Sequence, residues 1–173
     1  MTSAEPSEPI SQLDADAILR TLLDHRVEFV LIGGLAVAVH GYPRATKDID
    51  IVPRSDAENA ARLFTALSAI GARPIELGDF RAAELPVAFD PDGLALGGNW
   101  ALQTEHGRVD VMQSVPGIGG FEELTGNAFA LDLAGVGVVP VAGYEDLVTM
   151  KTAAGRRLDE EDLARLREAR GES

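Results

Sequence analysis

The sequence predicts an α/β (α+β) domain in which helices flank a mixed β-sheet and two further helices close the chain. Three observations carry this. A continuous apolar run, Val27 to Ile32, stops at Gly33-Gly34; acid and apolar residues alternate through Asp48-Ile49-Asp50-Ile51; and helical periodicity marks Ser55 to Ile70 and the stretch from Tyr144 to Arg170. Short runs of strand character interleaved with segments of helical period are the pattern of a sheet layered with helices.

Each element follows in order. Ser11 to His25 reads as a helix with an apolar stripe of Leu13, Ile18, Leu22 and Leu23, capped by Ser11 or Asp14. Val27 to Ile32 is a buried strand, rich in β-branched residues. Leu35 to His40 is a short helix stopped by Gly41 and Pro43, and Lys47 to Val52 a half-buried strand closed by Pro53. Ser55 and Glu58 form a capping box for the helix that Gly71 ends. Pro74 to Gly98 is irregular, with one short helix at Asp79 to Leu85. Trp100 to Thr104 and Arg108 to Gln113 pair through a Glu105-His106-Gly107 turn, and Phe129 to Leu133 pairs with Val136 to Val141 through Ala134-Gly135. Tyr144 to Ala154 and Asp159 to Arg170 are helices broken at Gly155.

The 173 residues suffice for one core without staples. Residues 1–10 are expected to be a disordered leader, 11–142 the core, and 143–173 a helical segment packed on it. The absence of cysteine excludes disulfides, thiolate metal sites and a thiol nucleophile. No apolar stretch is long enough to span a bilayer, so no membrane partner is expected and a cytoplasmic location is. The net charge of −13, with both halves of the chain acidic, argues against a surface that grips a polyanion non-specifically.

On a strand, Asp48 and Asp50 present paired carboxylates to one face while Ile49 and Ile51 point into the core. Such carboxylates repel unless a cation or proton lies between them. Hard oxygen donors in small number suit Mg²⁺, with Mn²⁺ as a substitute, better than zinc. Gly33-Gly34, where a strand opens a helix, is either a backbone cradle for phosphate or a tight turn that glycine relieves. Asp110, in Arg108-Val109-Asp110-Val111, either pairs with Arg108 at the surface or joins Asp48 and Asp50 in a triad able to hold two metal ions.

These residues resemble the signature of the DNA polymerase β-type nucleotidyltransferase superfamily. The match rests on Phe29-Val30-Leu31-Ile32-Gly33-Gly34 followed by Arg44-Ala45-Thr46-Lys47-Asp48-Ile49-Asp50-Ile51. The Arg-x-Thr-x-Asp form is similar to the small prokaryotic branch of AbiEii-like and MenT-like toxins. Tyr144 to Lys151, Ala154-Gly155-Arg156 and Asp159-x-x-Asp162-Leu163 resemble the helical motif of that branch, except that Leu158 stands where the motif carries Lys.

The resemblance implies a nucleotidyltransferase-like mixed β-sheet and a set of roles. Gly33 and Gly34 would hold nucleotide phosphates, with Asp48, Asp50 and Asp110 binding a two-ion Mg²⁺ site and Asp110 helping to deprotonate the acceptor. Lys151 would neutralise the triphosphate, and Arg44 and Lys47 would touch phosphate. Arg156, Asp159 and Asp162 belong to the helical motif, although Asp159 and Asp162 equally suit the first turn of a helix. The expected reaction moves a nucleoside monophosphate from an NTP to an acceptor hydroxyl. The acceptor is a tRNA 3′ end, for a toxin with a cognate antitoxin protein, or a small molecule such as an aminoglycoside. A silent nucleotide- or partner-binding scaffold is the third reading.

Overall fold

The structure, a computed structural model, describes residues 12–75 and 87–172. The expected leader, the cap at Ser11 and the short helix at Asp79 to Leu85 lie outside these residues. Along the described chain the elements are α1 (Ala15–Asp24), β1 (Phe29–Ile32), α2 (Gly33–Val39), β2 (Asp48–Pro53), α3 (Ala57–Ala69), β3 (Arg73–Pro74) and α4 (Pro91–Ala95). They continue with β4 (Asn99–Thr104), β5 (Gly107–Met112), α5 (Phe121–Asn127), β6 (Phe129–Leu133), β7 (Gly137–Val141), α6 (Tyr144–Ala154) and α7 (Arg157–Ala169). No described helix is long and apolar enough to cross a membrane.

One sheet organises them, in the order β3-β4-β5-β2-β1-β7-β6. It is mixed: β2–β5 and β1–β7 run parallel, and the other four pairs are antiparallel. β1 sits near the middle with all four residues buried, which is why its sequence is uniformly apolar instead of alternating. β2 and β5 alternate as expected. Ile49, Ile51, Val109 and Val111 are fully buried in the core, while the acids between them face the other way.

Several ends differ from the sequence reading, each for a local reason. Asp56 rather than Ser55 caps α3, accepting from the Asn59 N–H at 2.9 Å. The buried Asn59 side chain in turn bonds both backbone groups of Glu28, tying α3 to the entry of β1. Helix α2 starts at Gly33, directly after the strand, not at Leu35. The first hairpin has a two-residue turn, because Gly107 pairs with Thr104. The second has a longer loop, with Val136 outside the ladder. Helix α7 starts two residues early, at Arg157, since the Asp159 side chain accepts from the Arg156 N–H as the third residue of a capping box. The short β3, α4 and α5 were not anticipated; Asp90 caps α4, with Pro91 in its first turn.

Candidate active site

The site grows from the junction of β1 and α2. Ile32 lies opposite Asp50 in the antiparallel β1–β2 pair, so the chain turns into α2 beside that carboxylate. Gly33 makes the turn with a φ of +70°, and a Cβ there would collide with the Asp50 carboxylate. Glycine is therefore required twice over, by backbone conformation and by space. At Gly34 a Cβ would come within 2.9 Å of Thr46 Oγ1 and 3.2 Å of Arg44 Nη2, so the 44–47 loop packs against bare backbone. The Thr46 hydroxyl donates to the Asp48 carbonyl at 3.0 Å, folding that loop onto the start of β2.

The parallel pairing of β2 with β5 sets Asp50 beside Asp110 and Asp48 beside Arg108. One oxygen from each of Asp48, Asp50 and Asp110 can be chosen so that all three lie within 4.8 Å of one another. Burial, reinforced by Asp48 and then Asp110, raises the Asp50 pKa to about 7, against the opposing pull of Lys151 and Arg108. Three hard oxygen donors partly exposed to a cleft fit a Mg²⁺ or Mn²⁺ ion with room for further ligands. Arg108 also answers Asp110, with Nε and Nη2 donating to its two oxygens at 2.7 and 2.9 Å. The expected Arg108–Asp110 pair is thus present, and it forms within the carboxylate cluster.

Behind the triad a second set of charges joins α6, α7 and the 44–47 loop. Asp162 is fully buried and takes a two-pronged bond from Arg44 at 2.8 and 3.0 Å and an ion pair from Lys151 at 2.7 Å. Lys151, itself buried, also donates to Asp159 at 3.2 Å. Burial alone would push the Asp159 carboxyl up, but hydrogen bonds from Arg156 and Lys151 outweigh it and hold it below the usual range. Three cations matched to two buried acids make a rigid wall. Lys151 is therefore an ion-paired strut rather than a free ammonium, though close enough to Asp50 to lower its pKa.

These residues share a cleft of about 650 Å³. Gly33, Gly34, Arg44, Lys47, Asp48, Asp50, Asp110, Lys151, Arg156 and Asp159, all singled out in the sequence, line it. Asp162 lies behind the wall. The exposed Leu158 stands on the lining, so the departure from the helical motif falls at the cleft itself. A second, more apolar pocket of about 370 Å³ adjoins, sharing Gly33, Lys151, Arg156 and Asp159, and walled by Met112, Val115, Pro116, Leu147, Met150 and Ala154. Sequence reasoning missed this pocket; it foresaw the Arg108–Asp110 pair, but as an alternative to the triad and not as a part of it. The two-residue spacing to Asp110 was the available signal for Arg108. The histidines take no part: His40 bonds the Ala142 carbonyl, and His25 bonds that of Thr21.

No protein-family profile matches the chain, and no curated protein matches it in sequence. Solved structures do match in fold. The lincosamide antibiotic adenylyltransferase LnuA, solved with lincomycin bound, superposes with a TM-score of 0.60 at 17% identity, over 92% of this chain and 99% of that one. The antibiotic-resistance factor ANT(2'')-Ia gives 0.56 at 14%, over 88% and 80%. A Thermotoga maritima protein provisionally described as a nucleotidyltransferase gives 0.52 at 18%, over 90% and 94%. The chain has the nucleotidyltransferase fold.

Proposed function

We propose that the chain is a divalent-metal-dependent nucleotidyltransferase, moving a nucleoside monophosphate from an NTP to an acceptor hydroxyl and releasing pyrophosphate. The observation that carries this is the convergence of Asp48, Asp50 and Asp110 from two paired strands onto one cleft, with Gly33 against Asp50. Asp48, Asp50 and Asp110 would hold Mg²⁺, which would supply neutralisation of phosphate charge. Gly33 and Gly34 line the cleft, where their backbone would meet the phosphates, although the Asp50 carboxylate and the 44–47 loop fill the space their side chains would take. Asp110 takes the proton of the acceptor hydroxyl as its oxygen bonds to the α-phosphorus and the bond to pyrophosphate breaks. Exposed Lys47 and Arg156 supply positive charge at the cleft. Lys151 and Arg44 position the wall through Asp159 and Asp162. Catalysis on this reading is positioning and charge neutralisation, with no covalent intermediate.

For the acceptor, a small molecule with an apolar face is favoured. The apolar pocket that adjoins the cleft at Gly33, Lys151, Arg156 and Asp159 supports it, as does the acidic balance of the chain. The fold neighbours include a lincosamide antibiotic adenylyltransferase and a protein solved in complex with adenylyl-2''-tobramycin. A polycationic aminoglycoside fits less well than a neutral compound, because Asp159 and Asp162 are already matched by Lys151, Arg156 and Arg44. The tRNA 3′ end, for a toxin with a cognate antitoxin, is the second reading; the Arg44-to-Asp48 and Lys151-to-Asp162 motifs favour it. Incubation with each α-labelled NTP, Mg²⁺ and either total RNA or a panel of hydroxylated small molecules separates the two. Label in tRNA alone would reject the small-molecule acceptor, and label in neither pool would reject the transferase.

A further inference from the structure

Arg108 and Asp110 lie two residues apart on β5, so both side chains share the face that carries Asp48 and Asp50. The guanidinium fork engages both Asp110 oxygens, at 2.7 and 2.9 Å. The β2–β5 register also sets Arg108 beside Asp48, with Asp50 beside Asp110. Arg108 therefore stands as counter-charge to the whole carboxylate cluster. Unlike Arg44, whose side chain is 19% exposed and locked onto a fully buried acid, the Arg108 side chain is 43% exposed. It can leave Asp110 without disturbing the core. The cleft it lines is the one that would receive phosphates, and a guanidinium fork fits two phosphate oxygens as it fits two carboxylate oxygens.

Resting on the nucleotidyltransferase reading, we propose that Arg108 is a positioning residue that exchanges partners, neutralising Asp110 while no divalent cation is held and passing to a nucleotide phosphate once Asp110 turns to the cation. Arg108 then opposes metal binding in the absence of nucleotide and favours nucleotide binding in the presence of metal. A merely structural ion pair behaves otherwise: its loss weakens both affinities together or leaves both alone.

Two titrations of the full chain test this. Binding of Mn²⁺ to the metal-free protein is followed by the electron paramagnetic resonance signal of free Mn²⁺. Binding of a non-hydrolysable NTP analogue at saturating Mn²⁺ is followed by calorimetry. Arg108→Gln is expected to bind Mn²⁺ about tenfold more tightly and the analogue about tenfold more weakly, the scale of one charge-assisted contact. Arg108→Lys keeps the charge without the fork and should fall between wild type and Arg108→Gln in Mn²⁺ affinity. Either affinity unchanged in Arg108→Gln, or both weakened together, overturns the exchange. Failure of the underlying reading looks different: wild type binds no Mn²⁺, or Asp48→Asn binds it as tightly as wild type.

Discussion

Burial holds the Asp50 carboxyl up at about 7, with Asp48 and Asp110 pushing the same way, so near neutral pH a cation and a proton compete for this side chain. The raised value means the folded chain binds that proton more tightly than the unfolded chain does. The stability it contributes to the metal-free protein is full below about pH 4 and lost as pH rises through about 7. A bound divalent cation reverses the sign, since it needs the carboxylate ionised. Mg²⁺ should therefore raise the melting temperature more at pH 8 than at pH 5.5, and equal increments would show that Asp50 is not a ligand. Asp50→Asn should raise the metal-free melting temperature at pH 8 and remove the response to Mg²⁺. At Gly33, alanine meets both a positive φ and the Asp50 carboxylate. Gly33→Ala should destabilise by roughly 1–3 kcal/mol in a denaturant titration and lower transfer sharply.

At the scale of elements, α7 is fastened to the site by charge more than by apolar burial. Leu166 is its one fully buried apolar residue, whereas Asp159 and Asp162 are both buried and paired across to α6 and the 44–47 loop. Asp162→Ala strands Arg44 and Lys151 beside each other without their shared acid. The expected loss is about 3–5 kcal/mol, the cost of breaking a buried pair from one side. Hydrogen exchange should show α7 opening while β1 and β2 stay protected. The periodicities of α1, α3, α6 and five of the six longer strands were legible because each buries one face or both; β6, which buries no residue, was legible as the partner of β7 across the Ala134-Gly135 turn. Elements β3, α4 and α5 were not, being too short for a period to repeat. The triad was readable because Asp48 and Asp50 are neighbours and Asp110 sits between valines. The Arg44–Asp162 bond joins residues 118 apart in the chain, and no local pattern announces it. Lys151 was singled out, but its burial between two acids depends on how α7 docks on α6.

For the whole molecule, the charge of −13 and the balanced site describe different things. The overall charge repels polyanions at long range, while the cleft gathers Arg44, Lys47, Arg108, Lys151 and Arg156 around its four aspartates, with Asp162 behind them. Binding to unstructured RNA at physiological salt should therefore be undetectable in a filter assay, even where a nucleotide binds. Micromolar binding to random RNA would contradict the small-molecule acceptor. The most direct test of the central claim is Mg²⁺-dependent transfer of label from an α-labelled NTP, compared between wild type and Asp48→Asn, with melting temperature confirming that both are folded. The account predicts transfer by wild type and at least a hundredfold loss in Asp48→Asn, on the order of removing a group that acts on the transition state. Equal transfer by the two proteins, or transfer undiminished by chelation of the metal, would contradict it.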